Sequence, residues 1–251
     1  MGNADSKFSR ISVTSVKQQF EDQVVNMILS GDLRPGEKLP TERQLASDMG
    51  ISKTVVHEGI RDLVNLGFID NKSHRDCVVA DYSLAGNLGT LNTVLQYHQG
   101  TLDRRTATGV IDFCEWVECP SLQRICEHKS MYEYRILEQR LNTVKSLRDD
   151  REAMGEAWAQ YHRQVVFFSG NPLLPLLYSS MMQIGLPVYF EWVDQVGPDV
   201  IIQDLMNLNA DIEKWDWVQA VAHFRERASD FRTYIKANRE KFRKDPWTLD
   251  Q

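Results

Sequence analysis

The spacing of hydrophobic residues changes character near residue 82 of this chain. Before that point, apolar residues recur at helical intervals in short segments, of which Phe20, Val24 and Ile28 form the first. Two short β-like runs then flank the polar segment 70–75. The pattern predicts a mostly α protein, with an amino-terminal domain of small helices and a β-hairpin at 1–82.

The strongest local signals lie between residues 36 and 68. Thr41 and Gln44 fit a capping box, in which side chains satisfy the first free amides of a helix. Gly50 is suited to a left-handed helix end, and Ser52 can cap the helix that follows. Gly59 falls on the inner face of that second helix, where a missing side chain allows two helices to approach closely.

This layout predicts a helix-turn-helix followed by a wing. In such a motif, the amino-terminal residues of the second helix meet base edges in the major groove of DNA. Lys53, Thr54 and His57 occupy that position, and the hairpin tip carries Ser73, His74 and Arg75. The spacing alone leaves open a module for protein interaction or dimerisation that does not bind DNA.

The runs LRPGEKLPTERQLA and GISKTVVHEGIRDL resemble the GntR-type transcription regulators continuously from residue 15 to about 82. The resemblance implies DNA contacts by residues opening the two helices: Arg43, Ser52, Lys53, Thr54 and His57. The family usually has arginine at positions 53 and 57 and glycine near 74. A lysine lacks the planar fork of arginine, so we expect an altered operator sequence or weaker binding.

The charge distribution limits how the protein would bind DNA. The net charge is −6, and residues 1–80 contain 10 Lys and Arg against 11 Asp and Glu. Long-range attraction to phosphates is therefore weak. We expect a local basic patch with the acidic side chains turned away, doubled in a homodimer on a palindromic operator. The patch comprises Arg34, Lys38, Arg43, Lys53, Lys72 and Arg75.

Length and composition favour two cytoplasmic domains without a membrane segment. The chain has 251 residues and 42% hydrophobic residues, which suits domains of about 80 and 150 residues. There is no run of 18 apolar residues, and the first ten residues lack the apolar core of a secretory signal. The four cysteines form no C-x-x-C pair, so free thiols are expected.

Helical spacing dominates the rest of the chain. We expect a linker helix at 83–100 and an antiparallel all-α bundle at 101–251 that binds an effector and dimerises. The spacing and the Gly and Pro signals predict helices at 104–119, 120–129, 131–148, 151–169, 172–194, 199–213 and 216–242.

The run YHRQVVFFSGNPLL at 161–174 resembles the FadR-type effector domain, the helical partner of one GntR subfamily. Many such domains bind a divalent metal through one aspartate and three histidines. Only His162 stands at one of those positions, while Trp158, Leu205 and Arg227 occupy the others. One imidazole does not hold a cation firmly, so we expect a degenerate metal site and no cofactor.

The chain then resembles the metal-free branch of this subfamily, whose pocket takes long-chain acyl-CoA. Large and flexible apolar residues fill the segment 173–192, which is typical of an adaptable pocket, although a filled core would look the same. We expect an acyl-CoA effector, with a small organic acid as the alternative. The effector-binding candidates are His162, Tyr189, Trp192, Arg225 and Ser229.

Three classes of function remain open from the sequence. The first is a ligand-responsive transcription regulator, and the second is a DNA-binding protein that has lost its effector. The third is an enzyme with an accessory winged helix. No nucleophile–base spacing, phosphate loop or metal motif supports the enzyme, so we expect none.

Overall fold

The computed structural model describes residues 15–73, 76–97 and 102–242. The chain divides after Tyr97 into two compact units. The first unit contains three helices, a hairpin and two further short helices. Its elements are α1 (Val16–Ser30), α2 (Glu42–Met49), α3 (Lys53–Asn65), β1 (Ile69–Ser73), β2 (Asp76–Val79), α4 (Tyr82–Ala85) and α5 (Leu88–Tyr97).

Local signals set the bounds of the first three helices. Helix α1 ends at Gly31, which has a φ of 85°, a conformation that costs glycine little. The capping box of α2 forms as expected, since the amide of Thr41 donates to Gln44 Oε1 at 3.0 Å and the amide of Gln44 donates to Thr41 Oγ1 at 3.3 Å. Gly50, with a φ of 64°, ends α2 and turns the chain toward α3.

The first unit has its own hydrophobic core between α1 and α3. Phe20, Ile28 and Leu63 are each at most 1% exposed. Gly59 faces this core, and a Cβ placed there would lie 2.5 Å from the ring of Phe20. The two helices therefore approach as closely as the missing side chain allows, as the sequence predicts.

The hairpin is antiparallel and pairs Ile69 with Val79. The chain before α2 runs beside its second strand, where Lys38 forms an isolated bridge with Val78. Backbone hydrogen bonds of 2.8 Å and 2.9 Å join Gly36 N to Val79 O and Leu39 N to Cys77 O. The wing is thus joined to the start of α2 by main-chain contacts.

The expected linker helix at 83–100 is wrong in detail, because the segment forms two helices, α4 and α5, within the first unit. The side chain of Asn87 accepts from Gly89 N at 2.8 Å, and this starts α5 anew after Gly86. The same asparagine donates to Asn65 O at 2.8 Å, and Thr90 Oγ1 donates to Leu66 O. The last carbonyls of α3 are therefore bound by the segment that leaves the domain.

The second unit is helical throughout its described residues. Six helices are followed by a 3-10 turn at Arg239–Lys241. They are α6 (Arg104–His128), α7 (Met131–Ser146), α8 (Arg151–Phe167), α9 (Leu174–Val196), α10 (Pro198–Glu213) and α11 (Trp217–Ala237). The expected winged helix followed by a helical carboxy-terminal domain is confirmed. No described helix has the length and apolar character needed to cross a lipid bilayer.

One expected helix boundary is wrong. The sequence predicts separate helices at 104–119 and 120–129, but α6 continues through Pro120 to His128. Proline removes the hydrogen bond to the carbonyl four residues earlier, that of Trp116. Pro120 is exposed and Trp116 is 74% exposed, so this carbonyl lies on the solvent side of the helix. Burial of the opposite face, which includes Val117 and Leu122, holds the helix together.

Candidate nucleic-acid interface and ligand cavity

The first turns of α3 present a polar face. Ser52 caps the helix, accepting a hydrogen bond from Val55 N at 3.2 Å, so its hydroxyl fixes where α3 begins. Thr54 is exposed, and the side chains of Lys53 and His57 are 70% and 66% exposed. These are the residues that the sequence places against DNA, and the structure brings them together on one surface.

Arg43 lies one residue into α2, on the exposed side of the helix. It forms no ion pair with any residue in the described ranges. An unpaired guanidinium keeps all its donors for a phosphate or a guanine edge. The capping box fixes the start of α2, and therefore the place from which this arginine projects.

The expectation that acidic side chains turn away from the basic patch is wrong at two positions. Glu42 Oε1 lies 2.8 Å from His57 Nδ1, and Glu42 Oε2 lies 4.0 Å from Lys53 Nζ. Lys38 Nζ pairs with Asp76 Oδ2 at 3.0 Å. Glu42 occupies the first turn of α2, where the helix dipole favours a carboxylate. This preference places an acid beside the start of α3.

The wing tip is described only in part. Ser73 ends β1 and is paired with Asp76. His74 and Arg75 lie outside the described residues, so their predicted contacts with DNA stay predictions.

The second unit contains a cavity of about 80 Å³ with polar groups on one part of its wall and aromatic rings on another. The polar lining comes from α6, α8, α9, α10 and α11 and consists of Glu118, His162, Tyr178, Asp204, His223 and Arg227. Aromatic rings of Trp158, Tyr189, Phe224 and Phe231 complete the wall. Trp158 and Tyr189 stack with their centroids 4.0 Å apart.

Glu118 is the centre of a buried hydrogen-bond network. Its carboxylate is 1% exposed and accepts from His162 Nδ1 at 2.6 Å and from the Tyr178 hydroxyl. Burial is the largest cause that raises the pKa of Tyr178 well above its ordinary value, and the nearby Cys114 and Glu118 raise it further. The phenol therefore stays protonated and serves as a donor to the carboxylate.

A second carboxylate orients the second histidine of the cavity. His223 Nδ1 bonds Asp211 Oδ2. A histidine held in this way at Nδ1 leaves Nε2 for another partner. His162 and His223 both line the cavity, and both are held through Nδ1.

Two buried polar atoms of the cavity lining have no hydrogen-bond partner within the described structure: the Tyr189 hydroxyl and Arg227 Nε. The other nitrogens of Arg227 bind Asp204 at 3.0 Å and Asp230 at 2.7 Å. Leaving a buried donor unsatisfied costs about 1–3 kcal/mol. A ligand that brings acceptors to these two donors would recover that free energy.

The structure brings some of the predicted effector residues to this cavity and not others. His162 and Tyr189 line the cavity. Trp192 does not line it but packs against the lining residue Phe231, with the two ring centroids 4.2 Å apart. Arg225 instead pairs with Glu115 at 3.2 Å, and Ser229 is exposed. On α11 the cavity face is formed by positions 223, 224, 227, 228 and 231, and residues 225 and 229 are displaced from it by the helical rotation.

The donor set does not fit a metal ion. The positions that resemble metal ligands hold an indole at Trp158, an alkyl group at Leu205 and a guanidinium at Arg227. Over the described ranges, no three His, Cys, Asp or Glu side chains are grouped to hold a cation. Arg227 lines the cavity while paired with Asp204 and Asp230.

Sequence reasoning did not name Glu118, Asp204 or His223 as ligand-site candidates, although all three line the cavity. A signal for Glu118 existed in the chain. It falls on the same helical face as Val110, Ile111 and Cys114, so an acid interrupts an otherwise apolar stripe. An acid at such a position needs a buried partner.

Comparison with known proteins finds a family model that matches part of the first unit. Residues 16–79 match the family described as "Bacterial regulatory proteins, gntR family". Over 185 residues the chain is 27% identical to the galactonate operon transcriptional repressor of Escherichia coli (strain K12), covering 73% of this chain and 76% of that protein. Over 162 residues it is 24% identical to the fatty acid metabolism regulator protein of Escherichia coli O1:K1 / APEC, covering 64% of this chain and 65% of that protein.

A solved structure shares the fold. It is titled "Lar controls the expression of the Listeria monocytogenes agr system and mediates virulence", and it matches with a TM-score of 0.58 at 13% identity. The match covers 91% of this chain and 100% of that one. The two curated relatives are transcription regulators and not enzymes.

Proposed function

We propose that this chain is a gntR-family helix-turn-helix regulator, a homodimer whose binding to a palindromic operator is controlled by a small ligand. The observation that carries this proposal is the exposed polar face at the start of α3, next to Arg43, which has no ion pair in the part of the chain that the structure describes. In a helix-turn-helix, this is the surface that meets the major groove.

The DNA contacts divide by role. Arg43, Lys53, Thr54 and His57 reach the duplex from exposed positions, whereas Ser52 positions α3 through its cap. The wing-tip residues 73–75 follow the adjacent groove. Because the net charge is −6, affinity depends on these local contacts and on two protomers binding together.

The cavity of the second unit binds the effector in this proposal. Its volume of about 80 Å³ is small beside the roughly 300–1,000 Å³ of pockets for drug-sized ligands. Its polar groups include two donor atoms, the Tyr189 hydroxyl and Arg227 Nε, that have no partner among the described residues. Size and polarity together favour a small organic acid, whose carboxylate binds Arg227 and whose hydroxyls meet the histidines. The galactonate repressor among the relatives supports this class.

A long-chain acyl-CoA is the second candidate. The aromatic wall of the cavity and the relative named as a fatty acid metabolism regulator favour it. An acyl chain would require the wall to open well beyond the described volume. Fatty acid responsiveness and the FadR subfamily assignment therefore stand as predictions beside the organic acid.

The segment 82–97 is the route by which the ligand signal reaches α3. Asn87 and Thr90 bind the carbonyls of Asn65 and Leu66 at the end of α3. A displacement of α5 must therefore carry α3 with it or break these bonds. Either result changes the spacing of two recognition helices, provided that the ligand binds the two states unequally.

Binding selection and thermal denaturation test the proposal together. Purified protein should enrich palindromic fragments from genomic DNA at low salt, and native mass spectrometry should show a dimer. A panel of small hydroxy acids and acyl-CoAs of several chain lengths should contain a ligand that raises the melting temperature. Failure to enrich any fragment would refute DNA binding, and no shift with either ligand class would refute the effector role.

Arg227→Gln provides the matched test of the cavity. The variant removes the positive charge from the lining, so the thermal shift caused by an organic acid should largely disappear. Arg225→Gln removes the same charge from the neighbouring face of α11, outside the cavity, and should retain the shift. Equal loss in both variants would contradict binding at this site.

A further inference from the structure

Glu42 joins the starts of the two helices of the helix-turn-helix. Its two carboxylate oxygens face His57 Nδ1 at 2.8 Å and Lys53 Nζ at 4.0 Å. His57 and Lys53 are four residues apart on α3, whereas Glu42 is the first residue of α2. An acid on one helix thus hydrogen-bonds His57 and lies near Lys53, two side chains on the face of α3 that is proposed to meet DNA.

The chemistry of this contact decides which nitrogen of His57 carries the proton. An ionised carboxylate only accepts hydrogen bonds, so the 2.8 Å contact requires Nδ1 to be the donor. In a neutral imidazole, the other nitrogen, Nε2, is then an acceptor. The side chain is 66% exposed, and Nε2 makes no hydrogen bond within the described ranges, so it stays available to an external donor.

Base edges in the major groove differ in what they offer to an acceptor. The amino groups of cytosine N4 and adenine N6 donate hydrogen bonds there, whereas guanine N7 and O6 and thymine O4 accept them. A His57 ring fixed with Nε2 as acceptor would therefore favour cytosine or adenine. An arginine at the same position, which only donates, would favour guanine.

We propose that Glu42 is a specificity-positioning residue, which fixes the tautomer of His57 so that α3 reads an amino-bearing base at one position of each half-site. The inference rests on the proposed DNA-binding function. Glu42 also lies 4.0 Å from Lys53 Nζ, so its negative charge partly offsets the positive charge of the lysine. It thus lowers affinity for unrelated DNA while sharpening the reading of sequence.

A purely structural role for Glu42 would have a different signature. An acid in the first turn of a helix stabilises that helix through the dipole, without any effect on base choice. Its removal would weaken binding to all sequences equally. The proposed role instead changes the preference at one base pair, and only while His57 is present.

The test is a selection from a randomised duplex pool at pH 8, a pH at which histidine side chains are generally neutral. We compare wild type, Glu42→Gln, His57→Ala and the double variant, with Glu58→Gln as the control that removes an exposed acid elsewhere on α3. Glutamine keeps the size of Glu42 but supports either tautomer, because its amide both donates and accepts.

The wild type and the Glu58→Gln control should enrich cytosine or adenine at one base pair per half-site. Glu42→Gln should reduce that preference by about 5-fold, the effect of one hydrogen bond, and should not weaken binding to unrelated duplexes. In the His57→Ala background, Glu42→Gln should leave base choice unchanged.

Three outcomes would overturn the inference. These are an unaltered preference in Glu42→Gln, an equal change in the Glu58→Gln control, and an equal change with and without His57. A wild-type protein that enriches no sequence would instead refute the proposed function itself. Binding of a selected duplex by wild type therefore separates the two failures.

Discussion

The candidate sites in the two units of this protein place their polar side chains in different surroundings. In the first unit they lie on the exposed starts of α2 and α3, close together in the sequence, around an apolar core. In the second unit, residues from five helices bring carboxylates, histidines, a tyrosine and an arginine into the interior. A surface that meets DNA needs accessible donors, whereas a cavity that selects a small ligand needs groups already shielded from water.

The largest effect should come from breaking the buried network of the second unit. Glu118→Ala removes the acceptor of both His162 and Tyr178, which costs about 3–5 kcal/mol for a buried pair. Urea unfolding followed by tryptophan fluorescence measures this, because five of the six tryptophans lie between residues 116 and 217.

Glu226→Ala is the control for that experiment, since it removes an exposed acid from α11. It should change the free energy of unfolding by less than about 0.5 kcal/mol. Similar losses in the two variants would show that the Glu118 network does not stabilise the unit.

A smaller effect is expected in the core of the first unit. Gly59→Ala introduces a Cβ 2.5 Å from the Phe20 ring, so the packing of α1 on α3 must shift at a cost of about 1–3 kcal/mol. Hydrogen exchange should accelerate in peptides from these two helices.

Gly109→Ala is the matched change at a helical glycine with open space around it. It should be neutral or stabilise α6 by about 0.5–1 kcal/mol, because alanine loses less backbone entropy in a helix. Faster hydrogen exchange in α6 of this variant would contradict the view that the space around a helical glycine determines whether alanine destabilises the helix.

The exposed face is tested by affinity and not by stability. Arg43→Ala should weaken binding to a selected operator by about 1–3 kcal/mol and reduce the salt dependence by about one phosphate contact. Fluorescence anisotropy over a range of salt concentrations measures both. The control variant Arg105→Ala, which removes an exposed arginine from α6, should bind the operator with unchanged affinity. Unchanged affinity of the Arg43→Ala variant would show that Arg43 does not contact DNA.

The smallest effect concerns alkaline pH. Burial raises the pKa of Cys119 and of Cys126 to about 11, from an ordinary value near 9. The neutral thiols favour the folded state fully below pH 9, and this contribution falls as pH rises toward 11, because the unfolded chain ionises first. The urea midpoint should therefore decrease over that range.

Replacing both cysteines by alanine gives the comparison for that pH series. The double variant should lose stability less steeply between pH 9 and 11 than wild type, since its unfolded chain has two fewer thiols to ionise. Parallel curves would mean that other groups, such as lysines and tyrosines, account for the whole decrease.

The difference between local and long-range contacts explains which features the sequence predicts correctly. The capping box at Thr41, the turn at Gly50 and the close approach at Gly59 depend on neighbours a few residues away, and all three are confirmed. The break expected at Pro120 is wrong, because packing of one face of α6 outweighs the local penalty of a single lost hydrogen bond.

Contacts between distant helices were the part that the sequence could not supply. Glu118 meets His162 from 44 residues away and Tyr178 from 60. The direction of Arg225 depends on how α11 rotates against its neighbours, and the place of Glu42 depends on the angle between two helices. Helical spacing fixes which residues share a face, but not what that face meets.

The backbone bonds between segment 36–39 and β2 have a consequence for target recognition. They hold the hairpin at a set distance from α2 without using any side chain. In the proposed complex with DNA, substitutions at the wing tip would therefore change the preferred target sequence while the hairpin stays at the same distance from α2.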